Sequence, residues 1–338
     1  MPEGITLILI VVVGLAVSFD YINGFHDTAN SIATSVSTQA LRPHQAILMS
    51  AAANFLGALA GTAVATFVAT GIVDTPPGHD GQVVVAAALV GAIAWNLITW
   101  RVGIPSSSSH ALIGGMIGGT LAAVLIGGQT GGLNVEGIVT KVLFPLVASP
   151  ILGIGIGFLF MVGLFNIFRS AMPRGLNANF RRLQIGSAGF MAFSHGSNDA
   201  QKTMGIITLA LVAAGLQTGE TIPLWVILVS ATAISLGTAG GGWRIMKTMG
   251  QKVVKLDPIH GFAAETTAAT IILTASHFGM PVSTTHVISS AILGVGSSDR
   301  FSRVRWGVAG NIVTAWVLTI PLSAATAMVA WVVLNAVT

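Results

Sequence analysis

The stretch GFHDTAN, residues 24–30, recurs in altered form as GSNDAQK at residues 196–202. A second stretch follows each of them: PSSSSH covers residues 105–110, and PVSTTH covers residues 281–286. In the first pair Asp27 precedes His110 by 83 residues, and in the second Asp199 precedes His286 by 87. Two motifs in the same order and at nearly equal spacing predict that the chain is built from two related halves.

Both copies lie in apolar sequence. Of the 338 residues, 53% are hydrophobic and only 8% are charged. Apolar runs of the roughly 20 residues that a membrane-spanning helix needs recur along nearly the whole chain, which predicts an all-α integral membrane protein without a soluble domain. A charge at the centre of a bilayer costs roughly 2.5 to 3.5 kcal/mol on insertion scales. Asp27 and Asp199 are therefore expected to be functional.

Hydropathy and loop composition predict ten membrane crossings. They cover approximately residues 5–40, 44–70, 82–100, 105–127, 138–168, 183–216, 222–243, 260–277, 281–298 and 306–337. Several are too long for one straight helix, and glycine, proline and polar clusters predict interruptions at 23–24, 145, 150 and 195–198. The alternative for two of these ten crossings is a re-entrant hairpin, which enters the membrane and leaves it on the same side.

Basic residues are grouped in a few loops. The groups are Arg42, Arg101, the four Arg of 169–182, the Arg and three Lys of 244–255, and the three Arg of 300–305. Alternating crossings place all of them on one face, so the positive-inside rule predicts that both termini lie outside and that the central loop is cytoplasmic. Lys141 is the exception. The expected location is the inner (plasma) membrane. The net charge of +4 reflects this orientation, and no basic, aromatic-rich face indicates a nucleic-acid partner.

Five crossings lie on each side of the central loop. An odd number means that the second half enters the membrane with the opposite orientation, as in the inverted repeats of many secondary transporters. The predicted organisation is an N-terminal transmembrane repeat (1–168), a cytoplasmic basic linker (169–182) and an inverted C-terminal repeat (183–338).

The hydroxyl-rich motifs each follow a proline and precede an apolar, helix-like run. Their hydroxyl residues are Ser106, Ser107, Ser108 and Ser109 in the first half, and Ser283, Thr284 and Thr285 in the second. Hydroxyls and free N–H groups at two facing helix starts would bind a small tetrahedral oxyanion. The alternative is that these residues only cap helices after a proline turn.

The aspartate motifs supply hard oxygen ligands suited to a small cation or a proton. The candidate ligands are Asp27, Asn30, Asn198, Asp199 and Gln201. The alternative is an aspartate that caps a helix and is satisfied locally.

Three further side chains are candidates for coupling. His26 is a proton acceptor, a ligand or a packed ring. Lys202 needs a partner within the membrane, and Asp199, three residues earlier, is the nearest candidate. Glu265 is a third carboxylate that either joins the ion path or is solvated near the cytoplasmic end.

At these motifs the chain resembles the inorganic phosphate transporter (PiT) family across essentially its full length. The resemblance implies a cation-coupled symporter that imports phosphate by alternating access, with inverted repeats, re-entrant hairpins and usually a homodimer. It places Asp27, Asn30, Asn198 and Asp199 on the cation side, and Ser106–Ser109 and Ser283–Thr285 on the phosphate side. No cofactor is implied beyond a co-transported H+ or Na+.

The chain departs from the family pattern at both aspartate motifs. Sodium-coupled members resemble GANDVAN in both halves, whereas here His26 replaces an Asn and Lys202 stands where Asn30 stands in the first half. Our hypothesis is that the charge of Lys202 substitutes for one sodium ion, so that a proton is favoured over sodium. If the coupling ion is sodium, the expected metal ligands are Asp27, Asn30 and Asp199. Co-transport of a divalent metal with phosphate is compatible with the same carboxylates.

Other functions fit less well. A transporter of another oxyanion such as sulfate is the main alternative, because hydroxyl-rich sites do not by themselves select phosphate. An enzyme is not expected, since the chain has neither a GxSxG nor an HExxH motif, and catalytic groups are rarely duplicated. A channel could use the same anion site. Any regulation is expected from a separate cytoplasmic protein, at the basic central loop.

Overall fold

The computed structural model describes residues 6–170, 172–218 and 221–338. The predicted start of the first crossing at residue 5 and part of the predicted linker lie outside these ranges. The described helices are α1 Leu7–Ser37, α2 Pro43–Ala58, α3 Ala63–Thr70, α4 His79–Val102, α5 Ser108–Leu125, α6 Val135–Ile138, α7 Phe144–Ile167, α8 Pro173–Ala213, α9 Leu224–Gly240, α10 Trp243–Lys247, α11 Pro258–His277, α12 Thr284–Asp299 and α13 Trp306–Val337. Strands β1 Val73–Asp74 and β2 Gly132–Leu133 pair antiparallel, and π-helical turns Val139–Leu143 and Thr248–Lys252 precede α7 and extend α10.

Among the described residues, five helical spans are long and apolar enough to cross a membrane, and two bent helix pairs raise the number to seven. The five are α1, α4, α5, α13 and the continuous stretch Val135–Ile167. The pairs are α2 with α3, bent by 69°, and α9 with α10, bent by 61°. The remaining three predicted crossings correspond to α8, α11 and α12, which carry buried polar side chains.

The predicted interruptions at 23–24 and 195–198 are wrong, because α1 and α8 run through them as continuous helices. The glycines there allow close helix packing instead: a Cβ on Gly24 would lie 2.4 Å from the carbonyl oxygen of Ile234, and one on Gly196 would lie 2.2 Å from that of Asn54. Helix α7 is likewise continuous through Pro150, while Pro145 lies in its first turn.

Two helical hairpins enter from opposite ends of the molecule. The first hairpin is α4, residues 103–107 and α5; the second is α11, residues 278–283 and α12. At the base of the first, Gly78 N donates to the carbonyl of Ala213 at the end of α8 (2.7 Å). At the base of the second, Gln184 near the other end of α8 donates to Glu265 (3.1 Å). Helical rise of about 1.5 Å per residue puts Asp199 roughly 20 Å along α8 from both Gln184 and Ala213.

The long helices pack in a reciprocal pattern between the halves. Helix α13 packs on the first hairpin, while α7 packs on the second. Helix α1 packs on α9, while α8 packs on α2. Along α1 and α8 the polar residues lie between two apolar clusters: Phe19 and Met204 belong to one, and Ile32 and Met191 to the other.

Candidate functional site

Both hydroxyl motifs begin a helix at a hairpin tip, as the sequence predicts. Ser107 caps α5, its Oγ accepting from the N–H of His110 (3.1 Å), and Ser283 caps α12 in the same way, accepting from His286 (3.2 Å). The capping alternative therefore describes these two serines. Of the next two hydroxyl residues in each motif, Ser108, Thr284 and Thr285 donate to the aspartates, while Ser109 accepts from Lys202.

Asp27 contacts both hairpins. Its Oδ2 accepts from the hydroxyl of Ser108 in the first hairpin (2.6 Å), and its Oδ1 accepts from Thr285 in the second (3.5 Å). The Nδ1 of His26 lies 2.6 Å from the same Oδ1. All four side chains are buried, so the carboxylate is held by neighbouring donors and not by solvent.

Asp199 also contacts both hairpins, in part through Lys202. The ammonium of Lys202 donates to Asp199 Oδ1, and also to the hydroxyl of Ser109 in the first hairpin (2.5 Å). Asp199 Oδ2 accepts from Thr284 in the second hairpin (3.2 Å), and His195 Nε2 lies 3.2 Å from it. Lys202 thus has the partner predicted from the sequence, with a hydroxyl as a second acceptor.

Amide side chains complete the group. Asn30 Nδ2 donates to Thr285 (2.9 Å) and Thr284 (3.3 Å). Asn198 donates to Ser276 (2.8 Å) and to the carbonyl of Met280 at the second tip (3.2 Å). These contacts place Asn30 at the start of α12, and Asn198 beside the turn that precedes it.

Ser106 and His26 form a side branch of the group. The Ser106 hydroxyl donates to Thr99 (2.8 Å), and His26 Nε2 lies 3.0 Å from the same threonine oxygen. His26 therefore bridges Asp27 and α4, so its ring orientation is fixed at both nitrogens.

Two predicted site residues lie elsewhere. Gln201 caps α3, where its Oε1 accepts from the N–H groups of Val64 (2.8 Å) and Ala65 (3.3 Å). Glu265 accepts from Thr34, Ser187 and Gln184 near the base of the second hairpin. Since Thr34 follows Asp27 by seven residues on one helix, Glu265 is bound about 10 Å along α1 from Asp27. It is buried and hydrogen-bonded, which excludes the solvated alternative.

A cation could bind at the centre of the group. Asp27, His195 and Asp199 each offer one ligand atom, and these atoms lie within 4.8 Å of one another. Of the sodium ligands predicted from sequence, Asp27 and Asp199 belong to this set, whereas Asn30 faces the threonines. His195 and the buried Asp20 were not predicted as site residues. For Asp20, the available signal was an acidic residue inside the apolar run of α1.

Comparisons with known proteins agree with this geometry. Residues 23–327 match the model of the phosphate transporter family. A probable low-affinity inorganic phosphate transporter of Bacillus subtilis is 48% identical over 97% of this chain and 98% of its own length, and one of Mycobacterium leprae is 45% identical over 96% of this chain and 78% of its own length. The solved structure of a sodium-dependent phosphate transporter superimposes with a TM-score of 0.88 at 28% identity, covering 98% of this chain and all of that one. This chain therefore belongs to the phosphate transporter family.

Proposed function

We propose that this protein is a secondary active symporter that imports inorganic phosphate together with a cation, and that the cation is a proton in preference to sodium. The observation that carries the proposal is the meeting of two capped helix starts, α5 and α12, around two buried carboxylates. N–H groups and hydroxyls at helix starts bind tetrahedral oxyanions, while the carboxylates bind the cation.

The hydrogen bonds suggest why the two ions would move together. Ser108, Thr284 and Thr285 donate to Asp27 or Asp199. Phosphate oxygens can take these donors only if the carboxylates release them, and an anion beside a carboxylate that has lost its donors is unfavourable. A cation or proton that neutralises a carboxylate removes this repulsion, so anion and cation stabilise each other.

Alternating access by an inverted repeat is part of the proposal. It is supported by the entry of the hairpins from opposite ends and by the reciprocal packing of α7 and α13. The serine caps of α5 and α12 correspond to each other, as do the glycines of α1 and α8, and both correspondences also support an inverted repeat. Rocking of one repeat against the other would expose the tips to each side in turn.

Selection of phosphate over sulfate follows from an acceptor in the site. Hydrogen phosphate has a proton to donate to a carboxylate such as Asp27, whereas sulfate at neutral pH has none. A buried acceptor left without its donor costs about 1 to 3 kcal/mol. We therefore expect the site to reject sulfate.

Lys202 supports a proton as the coupling ion. Its ammonium already neutralises Asp199 and contacts the first hairpin through Ser109, so a sodium ion at Asp199 would meet a fixed positive charge. Lys202→Asn restores the residue type found at Asn30. We expect this variant to acquire stimulation by sodium, and wild-type uptake that is already sodium-stimulated would contradict the assignment.

The remaining proposals concern the cellular setting. We propose that the protein is a homodimer in the inner (plasma) membrane, with both termini outside and no enzymatic activity. A cytoplasmic regulatory protein would bind at the basic central loop, residues 169–182. Chemical cross-linking in native membranes tests the dimer.

The deciding experiment is uptake of radiolabelled phosphate by proteoliposomes under separate inward proton and sodium gradients, with excess sulfate as competitor. We expect proton-driven uptake that resists sulfate, is lost in Asp199→Asn and is kept in the control Asp74→Asn, whose side chain is exposed. Competition by sulfate would reassign the substrate, uptake driven by sodium alone would exclude proton coupling, and absence of uptake would contradict the function.

A further inference from the structure

Asp20 is a fully buried carboxylate that the group around Asp27 and Asp199 does not use. It lies on α1, seven residues before Asp27. Seven residues are close to two helical turns, so Asp20 is on nearly the same face of α1, about 10 Å nearer the base of the first hairpin. It therefore faces the same helix, α8, at a different depth.

Neither carboxylate oxygen of Asp20 has a hydrogen-bond partner among the described residues. The buried hydroxyl of Thr203 on α8 is close enough to interact with Asp20, but among the described residues neither group makes a hydrogen bond of normal geometry. Two unpartnered polar groups facing each other in a closed interior form an incomplete site. A carboxylate there must hold a proton or a cation, because a bare buried anion is strongly unfavourable.

The charged groups that face Asp20 are Asp199 and Lys202, both on α8. Helix α9, which also packs on α1, has no titratable side chain. Those of α4 are confined to its two ends, at His79, Asp80 and Arg101. Among the charged side chains of the surrounding helices, Asp199 and Lys202 are the two that interact with Asp20.

We propose that the carboxyl group that carries the co-transported proton is Asp20, in place of Asp27 or Asp199. A sodium ion is a poor occupant, because Asp20 and Thr203 together offer three oxygens, fewer than hard cations bind in proteins, and the Lys202 ammonium would repel it. A single proton needs no further ligands.

The assignment gives Lys202 a second acceptor during transport. When Asp20 loses its proton, its carboxylate attracts the ammonium away from Asp199, and the hydrogen bond to Ser109 at the first tip weakens with it. When Asp20 is protonated, Lys202 stays on Asp199 and Ser109, as in this structure. The protonation state of Asp20 would thus change the strength of the hydrogen bond between Lys202 and Ser109 at the tip of the first hairpin.

This inference rests on the proposed phosphate symport and is tested in proteoliposomes by two measurements. One is accumulation of labelled phosphate driven by an inward proton gradient. The other is exchange of labelled for unlabelled phosphate without a gradient, which needs no net proton movement. In Asp20→Asn we expect accumulation to fall to the equilibrium level while exchange persists; Asp20→Glu keeps accumulation with a shifted pH dependence, and Asp74→Asn behaves as wild type.

The outcomes separate the two proposals. Loss of both activities in folded Asp20→Asn, or wild-type accumulation in that variant, would overturn the role of Asp20 alone. If Asp20→Asn does not fold, an Asp20→Glu protein with an unchanged pH profile would overturn it. Wild-type accumulation that needs sodium would overturn the proton, whereas wild-type protein without accumulation or exchange would overturn phosphate transport itself.

Discussion

Asp199 and Lys202 are each too costly to bury alone. Both are almost completely inaccessible, and each compensates the charge of the other within one turn of α8. Removing one partner of a buried pair costs roughly 3 to 5 kcal/mol, because the other charge remains unpaired. The pair therefore constrains both the fold and the chemistry at this position.

At the residue scale we predict that Lys202→Met lowers the stability of the folded protein by roughly 3 to 5 kcal/mol. The double variant Asp199→Asn/Lys202→Met should lose less, because no unpaired charge is left. Thermal unfolding of the purified protein in detergent measures both. Lys252→Met, whose side chain is exposed, is the control; a double variant less stable than Lys202→Met would contradict the explanation.

A second prediction concerns Thr285, which accepts from Asn30 and donates to Asp27. Thr285→Val keeps the shape of the side chain but removes a hydroxyl expected to bind phosphate. We expect the KM for phosphate to rise about tenfold, equivalent to one hydrogen bond of roughly 1.4 kcal/mol. Thr314→Val on α13, whose hydroxyl bonds only within its own helix among the described contacts, should leave KM unchanged. A loss of kcat at constant KM would argue against binding.

The two pairs of similar motifs contain most of the residues that the structure brings together, because they mark polar side chains in both halves of the chain. Gln201 and Glu265 could not be placed from sequence. Their partners, the start of α3 and the hydroxyls of Thr34 and Ser187, lie far away along the chain. A polar residue in an apolar helix indicates that a hydrogen-bond partner exists, but tertiary packing determines which residue that partner is.

At the element scale, glycines set how closely the helices approach. A Cβ on Gly237 of α9 would lie 2.0 Å from the carbonyl oxygen of Tyr21 in α1, and one on Gly57 of α2 would lie 2.0 Å from that of Phe193 in α8. A glycine in a helix is compatible with an interruption or with a close contact. The sequence could not decide between them, because the choice depends on which helix packs opposite.

We predict that Gly237→Ala and Gly57→Ala each destabilise the protein by roughly 1 to 3 kcal/mol or more. The added methyl group would overlap with backbone atoms of the neighbouring helix, which cannot move away as a flexible side chain can. Gly14→Ala is the matched control: it lies in α1 with no atom within 4 Å of the new methyl group. Its effect should be neutral or stabilising by up to about 1 kcal/mol. Equal melting temperatures for the three variants would show that close contact is not what these glycines provide.

At the scale of the whole molecule, hydropathy predicted helices that cross a membrane, but it did not predict how deep in the membrane each helix begins and ends. Residues 82–100 and 105–127 were predicted as two crossings, with re-entrant hairpins as the alternative for two of the ten. The corresponding helices α4 and α5 are each long and apolar enough to cross a membrane, and the turn between them lies beside the polar site. Hydropathy reports how apolar a segment is, not whether the chain turns back beside a polar site. The direction of each hairpin follows from contacts at its base.

The final prediction tests those directions. The chain contains no cysteine, so each substituted thiol is the only one in the protein. Positions 79 and 302 are exposed at the bases of the first and second hairpins, and Thr338 is exposed after α13. With the basic loops inside, an impermeant maleimide added to intact cells should label His79→Cys and Thr338→Cys, and should label Ser302→Cys only after permeabilisation. Labelling of His79→Cys and Ser302→Cys from the same side would contradict two hairpins that enter from opposite faces, and with them the inverted repeat.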